Sequence, residues 1–163
     1  MSFLGTMDIR WVKTIDGKGF QYNFCDYVFK SYSGQDNVQV ASAIEEIVKN
    51  TKEHYPHVKQ IILQSDNATC FSSQELIPYI YHLNHKSSNI GNPVISEWIY
   101  TEAQTGRGRL DTHFSYINLI LKSFVEDGNE ILLEENILQA ITFNGGISGT
   151  TVVVIDCSRL SSK

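Results

Sequence analysis

The pattern of apolar and polar positions at the start of the chain is first typical of strands and then typical of a helix. Residues 8–15 and 20–30 are strand-like, and Asp16-Gly17-Lys18-Gly19 between them is typical of a hairpin turn of the Asp-Gly type. Apolar residues at helical spacing follow over about 37–52, directly after Ser33-Gly34-Gln35-Asp36, which is typical of a helix cap. The chain therefore opens with a predicted hairpin and an amphipathic helix.

Strands and helices alternate through the middle of the chain. Residues 58–64 form a nearly continuous apolar run, which predicts a central strand buried on both faces. A helix is predicted over about 73–84, and Pro78 inside it indicates a kink or a later start. A polar loop over 87–93 then leads to a strand over 94–101.

The last third of the chain carries the strongest helical pattern, over 111–126, which Asp127-Gly128-Asn129 ends. One side of that helix is apolar and comprises Phe114, Ile117, Leu121, Phe124 and Val125. A short helix near 132–142, a turn at Asn144-Gly145-Gly146 and a final apolar strand over 150–156 follow. This order of elements predicts an α/β protein with a mixed sheet flanked by helices.

One domain over residues 1–163 is the simplest organisation, because a chain of 163 residues can bury a proper core. Residues 1–6 are interpreted as a ragged start or a tag, and residues 143–163 as a C-terminal turn and strand.

Net charge, cysteine spacing and the length of the apolar runs indicate which classes of protein the chain can belong to. The formal net charge of −5 argues against holding a nucleic-acid backbone by bulk charge, although a local basic patch remains compatible with it. The three cysteines show no paired spacing, which favours reduced thiols and an intracellular protein. No apolar run approaches the ~20 residues that span a membrane, so a membrane partner is not expected.

Two acidic stretches are the candidates for chemistry. Ser65-Asp66-Asn67 ends the central strand, where open α/β sheets place their ligand sites. The second stretch runs from Glu102 to Asp111, follows another strand and opens the 111–126 helix. Two carboxylates at adjacent strand and helix tips can share a divalent metal.

These stretches resemble motifs of retroviral-type integrases and transposases. Ser65-Asp66-Asn67 with Phe71-Ser72-Ser73 is similar to their central aspartate motif, and Gly108-Arg109-Leu110-Asp111 to the motif that opens their last catalytic helix, with Asp in place of Glu. The stretch 102–111 as a whole is similar to transposon-derived eukaryotic proteins. The segments 33–36 and 145–149 also fit that pattern, so the resemblance covers most of the chain.

The resemblance implies a ribonuclease H-like (RNase H-like) fold and phosphodiester cleavage or strand transfer by two Mg²⁺ or Mn²⁺ ions held by three carboxylates. Asp66 would be the second acid and Asp111 the third. The first acid belongs on an opening strand that would precede residues 8–15, and we expect the chain to lack that strand or to replace it. Asp8 and Asp26 are poor substitutes because of their places on the following strands.

Each candidate residue has a simpler interpretation. Asp66 can make a turn after its strand, and Asp111 can cap its helix. Glu102 lies at an integrase-like spacing from Asp66, but it belongs to a strand end and is interpreted as a supporting residue.

The loop Gly106-Arg107-Gly108-Arg109 is a candidate phosphate-binding loop, and Asn67 belongs to the same predicted site. Alternatively, the loop is a flexible turn with solvated arginines. His113 is a further residue that could approach the site. The remaining histidines are interpreted as surface residues, and Trp98 and Tyr100 as packing groups rather than base-stacking groups.

Two functions of different class follow. In the first, the resemblance implies an integrase-derived domain, weak or inactive as a nuclease in isolation, which would act on DNA or RNA in the nucleus rather than the cytoplasm. Alternatively, it is a non-enzymatic module that has kept the fold and binds a protein partner, or a second copy, through an exposed sheet edge. Either the strand over 150–156 fills the place of the missing strand, or two chains pair there.

Overall fold

The computed structural model describes residues 2–14, 17–30, 36–66, 68–101 and 108–156. They fall into two compact units. The hairpin unit comprises the described parts of Met1–Ser33 and Gly106–Asp156, and the parallel-pair unit comprises the described part of Gly34–Thr105.

The hairpin unit is built on a long antiparallel pair. Strand β1 (Ser2–Thr14) pairs with strand β2 (Gly17–Lys30) from Ser2 opposite Phe29 to Thr14 opposite Gly17. The prediction of a ragged start over 1–6 is therefore wrong for residues 2–6, which pair along β2. The predicted turn is also misplaced, since Gly17 already pairs with Thr14 and only residues 15–16, outside the described residues, connect the strands.

Strand β5 (Thr150–Asp156) joins the same sheet, parallel to β2, and gives the order β1-β2-β5. The predicted bounds of this strand are confirmed. It lies within the sheet, beside β2, and whether it takes the place of a missing opening strand stays a prediction.

Two helices cover one face of this sheet. Helix α3 (Arg109–Glu126) and helix α4 (Glu134–Thr142) bury Ile117, Ile137 and Ile141 against Val28 of β2. Side chains of the loops and of β5 complete this core. Val125, predicted on the apolar side of α3, is exposed instead. Asp127 ends α3, and a 3-10 turn over Phe143–Gly145 follows α4.

The parallel-pair unit begins with helix α1 (Asn37–His54), whose start is capped as predicted. The carboxylate of Asp36 accepts hydrogen bonds from the amides of Val38 and Gln39 at 3.0 and 3.3 Å. Helix α2 (Leu76–Asn89) starts later than predicted, with Pro78 in its first turn, where the missing N–H has no cost. It also runs further, so the predicted loop over 87–93 is shorter.

Strand β3 (Gln60–Asp66) and strand β4 (Val94–Thr101) pair in parallel beside these helices. The prediction that the central strand is buried on both faces is wrong. Ile61 and Leu63 pack against the α1–α2 core, whereas Ile62 between them is 60% exposed. The strand thus alternates as in a sheet with one covered face.

The α/β class is confirmed, but the described strands form a mixed three-stranded sheet and a parallel two-stranded sheet instead of one. Within the described helices, no segment is long and apolar enough to cross a membrane.

Candidate functional site

Asp66 is the last residue of β3, and its side chain is exposed. Its Oδ1 accepts a hydrogen bond from the backbone N–H of Ala68 at 3.1 Å. This is the simpler role expected for an aspartate after a strand, because it steadies the turn that follows. A single amide occupies one oxygen of the carboxylate, so the other oxygen stays available to a ligand.

Side-chain hydrogen bonds fix the backbone around Asp66. The indole N–H of Trp98 donates to Ser65 Oγ at 3.0 Å, and Thr101 Oγ1 donates to the Ser65 carbonyl at 3.1 Å. Tyr100, stacked on Trp98 at 5.5 Å between ring centres, donates to the Phe71 carbonyl at 3.1 Å. Trp98 is a packing residue as predicted, and Tyr100 packs with it while remaining 44% exposed. The strand tip that carries Asp66 is therefore rigidly supported.

Asp111 lies in the first turn of α3 and is exposed. Its Oδ2 accepts from the backbone N–H of Gly108 at 2.9 Å, so the carboxylate satisfies one amide of the helix start. Asp66 and Asp111 belong to different compact units, and their joint binding of a metal stays a prediction.

Only part of the predicted phosphate-binding loop can be described. Asn67, Glu102, Gly106 and Arg107 lie outside the described residues. Gly108 is the residue before α3, and the guanidinium of Arg109 lies over the ring of Tyr22, 4.1 Å from its centre. Arg109 is thus held against β2 instead of being fully solvated.

Histidines outside α3 match their interpretation as surface residues. His54, His57, His82 and His85 are all exposed. Across the described ranges, no cluster of three or more His, Cys, Asp or Glu side chains has the proximity needed to hold a metal ion.

Sequence reasoning missed a buried pair of ionisable side chains in the hairpin unit. His113 Nε2 lies 3.0 Å from Oδ1 and 2.9 Å from Oδ2 of Asp26. Asp26 has no exposed surface and His113 is 3% exposed. The His113 ring also stacks on Phe24, with the ring centres 4.2 Å apart and the planes 6° from parallel.

Gly5 makes room for this pair. It lies opposite Asp26 in the β1–β2 register, and a Cβ atom at this position would meet the Phe114 ring at 2.7 Å and Asp26 Oδ1 at 3.0 Å. The space beside the carboxylate is thus already filled by the aromatic ring.

Burial raises the pKa of Asp26, while the hydrogen bond and the charge of His113 act in the opposite direction. Because both side chains are closed to solvent, the pair has no access to a substrate. The Asp26–His113 pair instead joins the first turns of α3 to β2. Burying either ionisable group without the other would cost free energy of folding.

Signals for this pair were present in the sequence. His113 lies four residues before Ile117 on the buried side of α3, and Asp26 lies between Phe24 and Val28 at strand spacing, on the inward face. An ionisable side chain that points into the core needs a hydrogen-bonding partner there, and His113 and Asp26 are partners of this kind.

Comparison of the chain with protein-family models, curated proteins and solved structures finds no match.

Proposed function

We propose that this chain is an RNase H-like domain of integrase and transposase descent that binds nucleic acid, with the exposed acids Asp66 and Asp111 each a ligand for a divalent metal. The exposed position of Asp66 at the carboxyl end of a parallel strand pair supports the proposal most directly. In open α/β sheets, this end of the strands is where ligands bind.

The two acids have the donor chemistry that such a metal requires. Carboxylate oxygens are hard ligands that suit Mg²⁺ and Mn²⁺. Asp66 and Asp111 each accept one hydrogen bond from a nearby backbone amide, which orients the carboxylate and leaves its second oxygen for a ligand. When bound, such a metal would polarise a phosphoryl oxygen or activate water.

The proposed activity is weak. Asp66 and Asp111 correspond to two of the three carboxylates that the resemblance implies, and two alone provide less charge and fewer ligands for a metal. The domain would accordingly bind nucleic acid more readily than it cleaves it. The choice between DNA and RNA, and a nuclear site of action, stay predictions.

Calorimetric titration with Mn²⁺ tests the proposal on the wild type, Asp66→Asn and Asp111→Asn. Each substitution keeps an oxygen for the local amide hydrogen bond and removes the charge, so folding should be preserved. Micromolar binding that a substitution weakens supports that acid as a metal ligand, and cleavage assays on DNA and RNA would follow. Wild-type protein without binding, or binding that neither substitution weakens, contradicts the proposal.

A second candidate function is a protein-interaction module that adds a strand at the edge of β3. Among the described strands, β3 pairs with β4 alone, and Ile62 projects from it largely exposed. The outer edge of β4 is partly closed, because the Asn84 side chain accepts from the Ile95 N–H and donates to the Ile95 carbonyl, both at 2.8 Å. An open parallel edge is a template for a further strand.

Sedimentation over a range of concentrations tests the homodimeric form of this alternative. We expect association that Ile62→Lys abolishes, because a charge on an edge strand opposes pairing. Ile90→Lys is the matched control, since Ile90 is equally exposed but follows α2. A wild-type monomer at every concentration contradicts the homodimer.

A further inference from the structure

Aromatic and cationic side chains follow one another along the first half of β2. Lys18, Phe20 and Tyr22 occupy alternate positions and so project from the same face of the strand. Lys18 is exposed, the Phe20 ring is 49% exposed, and Tyr22 is half-buried. The Phe20 and Tyr22 rings are neighbours, with their centres 6.4 Å apart and their planes tilted by 47°.

Arg109, the first residue of α3, adds a second cation to this face. Its guanidinium lies 4.1 Å from the centre of the Tyr22 ring, within the range of a cation–π interaction. The contact holds the guanidinium plane in place before any ligand arrives, which lowers the entropy lost on binding. We call Lys18, Phe20, Tyr22 and Arg109 together the stacking stripe.

Aromatic rings flanked by cations match the chemistry of a nucleic-acid single strand. Bases stack on aromatic rings and on guanidinium planes, while lysine and arginine attract the phosphates between them. A duplex hides its base faces, so it cannot use the rings in this way. We propose that the stacking stripe binds single-stranded nucleic acid.

The stripe lies next to one of the acids of the proposed site. Arg109 and Asp111 both belong to the first turn of α3, and the buried Asp26–His113 pair fastens that turn to β2. A strand stacked on Phe20 and Arg109 would therefore pass the start of α3. The inference rests on the proposed binding of nucleic acid, but it needs no metal.

Fluorescence anisotropy with labelled oligothymidylate and oligouridylate, in EDTA, tests the stripe on the full chain. We expect Phe20→Ala and Arg109→Ala each to weaken binding about tenfold, the typical loss for one stacked base. Arg109→Lys should restore little, because it keeps the charge and loses the planar stacking group. Two phosphate contacts predict a slope of log affinity against log salt of about −1.4 for the wild type.

Tyr116→Ala is the matched control, because Tyr116 is an exposed aromatic residue on the same helix. It should bind as the wild type does, and circular dichroism should show that every variant is folded. Wild-type protein without binding, equal losses in Tyr116→Ala, or a duplex bound as tightly as a single strand each overturn the inference. Retained binding in EDTA by a protein that takes up no Mn²⁺ would contradict the proposed metal site and leave the stripe standing.

Discussion

Asp26 and the pair Asp66 and Asp111 show two different uses of a carboxylate in one chain. Asp26 is sealed from solvent and faces a histidine side chain, whereas the other two are exposed and accept from nearby backbone amides. Burial of Asp26 makes the free energy of unfolding depend on whether its carboxyl group is ionised. The exposed arrangement costs little and leaves oxygen atoms open to a ligand, so exposure separates the structural acid from the candidates for chemistry.

Removing one member of the buried pair should have the largest effect on stability. His113→Ala leaves the Asp26 carboxylate buried without its partner, which typically costs about 3–5 kcal/mol. Denaturant unfolding measures the loss, with His85→Ala, at an exposed position, as a control near zero. Equal stability of the two variants would show that Asp26 does not depend on His113.

Filling the space at Gly5 should have the next largest effect. The added Cβ of Gly5→Ala would overlap the Phe114 ring and crowd Asp26, and overpacking of this kind typically costs about 1–3 kcal/mol. Phe114→Leu in the same background should recover part of the unfolding free energy. Additive losses in the double variant would contradict the direct contact.

The dependence of stability on pH should distinguish Asp26 from the exposed acids. Because burial raises the pKa of Asp26, the folded state binds its proton more tightly than the unfolded state does. The contribution of Asp26 to stability is therefore present at low pH and is lost as pH rises from the ordinary aspartate value through the raised one.

Asp26→Asn removes this titration and can still accept from His113. Relative to the wild type, the unfolding free energy of Asp26→Asn should therefore improve as pH rises above the ordinary aspartate value, because the variant has no proton to lose at this position. Urea unfolding at several pH values measures the difference. A difference that is constant with pH would show that Asp26 titrates alike in both states.

Substitution of the exposed acids should have the smallest effect. Asp66→Asn and Asp111→Asn keep an acceptor for the amide and lie at the surface, so each should change the unfolding free energy by about 0.5 kcal/mol or less. Thermal unfolding is a sufficient measurement. A large loss at either position would make that acid structural and remove the contrast with Asp26.

Local signals predicted the elements of the fold well. The bounds of β4 and β5 follow directly from their apolar runs, and the Asp36 cap fixes the start of α1. Pairing between strands was harder to predict, because an apolar run such as 58–64 does not show which elements will pack against its two faces. The exposure of Ile62 and the place of β5 beside β2 both depend on contacts far apart in the sequence.

The candidate site was predictable only in its parts. A strand tip and a helix start place Asp66 and Asp111 at the surface, and each makes the local hydrogen bond that its position favours. The Asp26–His113 pair joins residues 87 positions apart in the chain, so periodicity indicated burial of each without indicating the partner. The contact of Arg109 with Tyr22 was hidden for the same reason.

Mn²⁺-induced paramagnetic broadening of backbone amide signals tests the central claim, that the exposed acids form the metal site, most directly. We predict that substoichiometric Mn²⁺ broadens most strongly the signals of Ala68 and of the first turn of α3. Asp66→Asn should remove the broadening at Ala68, and Asp111→Asn should remove that at the first turn of α3. Broadening centred elsewhere, or none at either acid, would contradict the account.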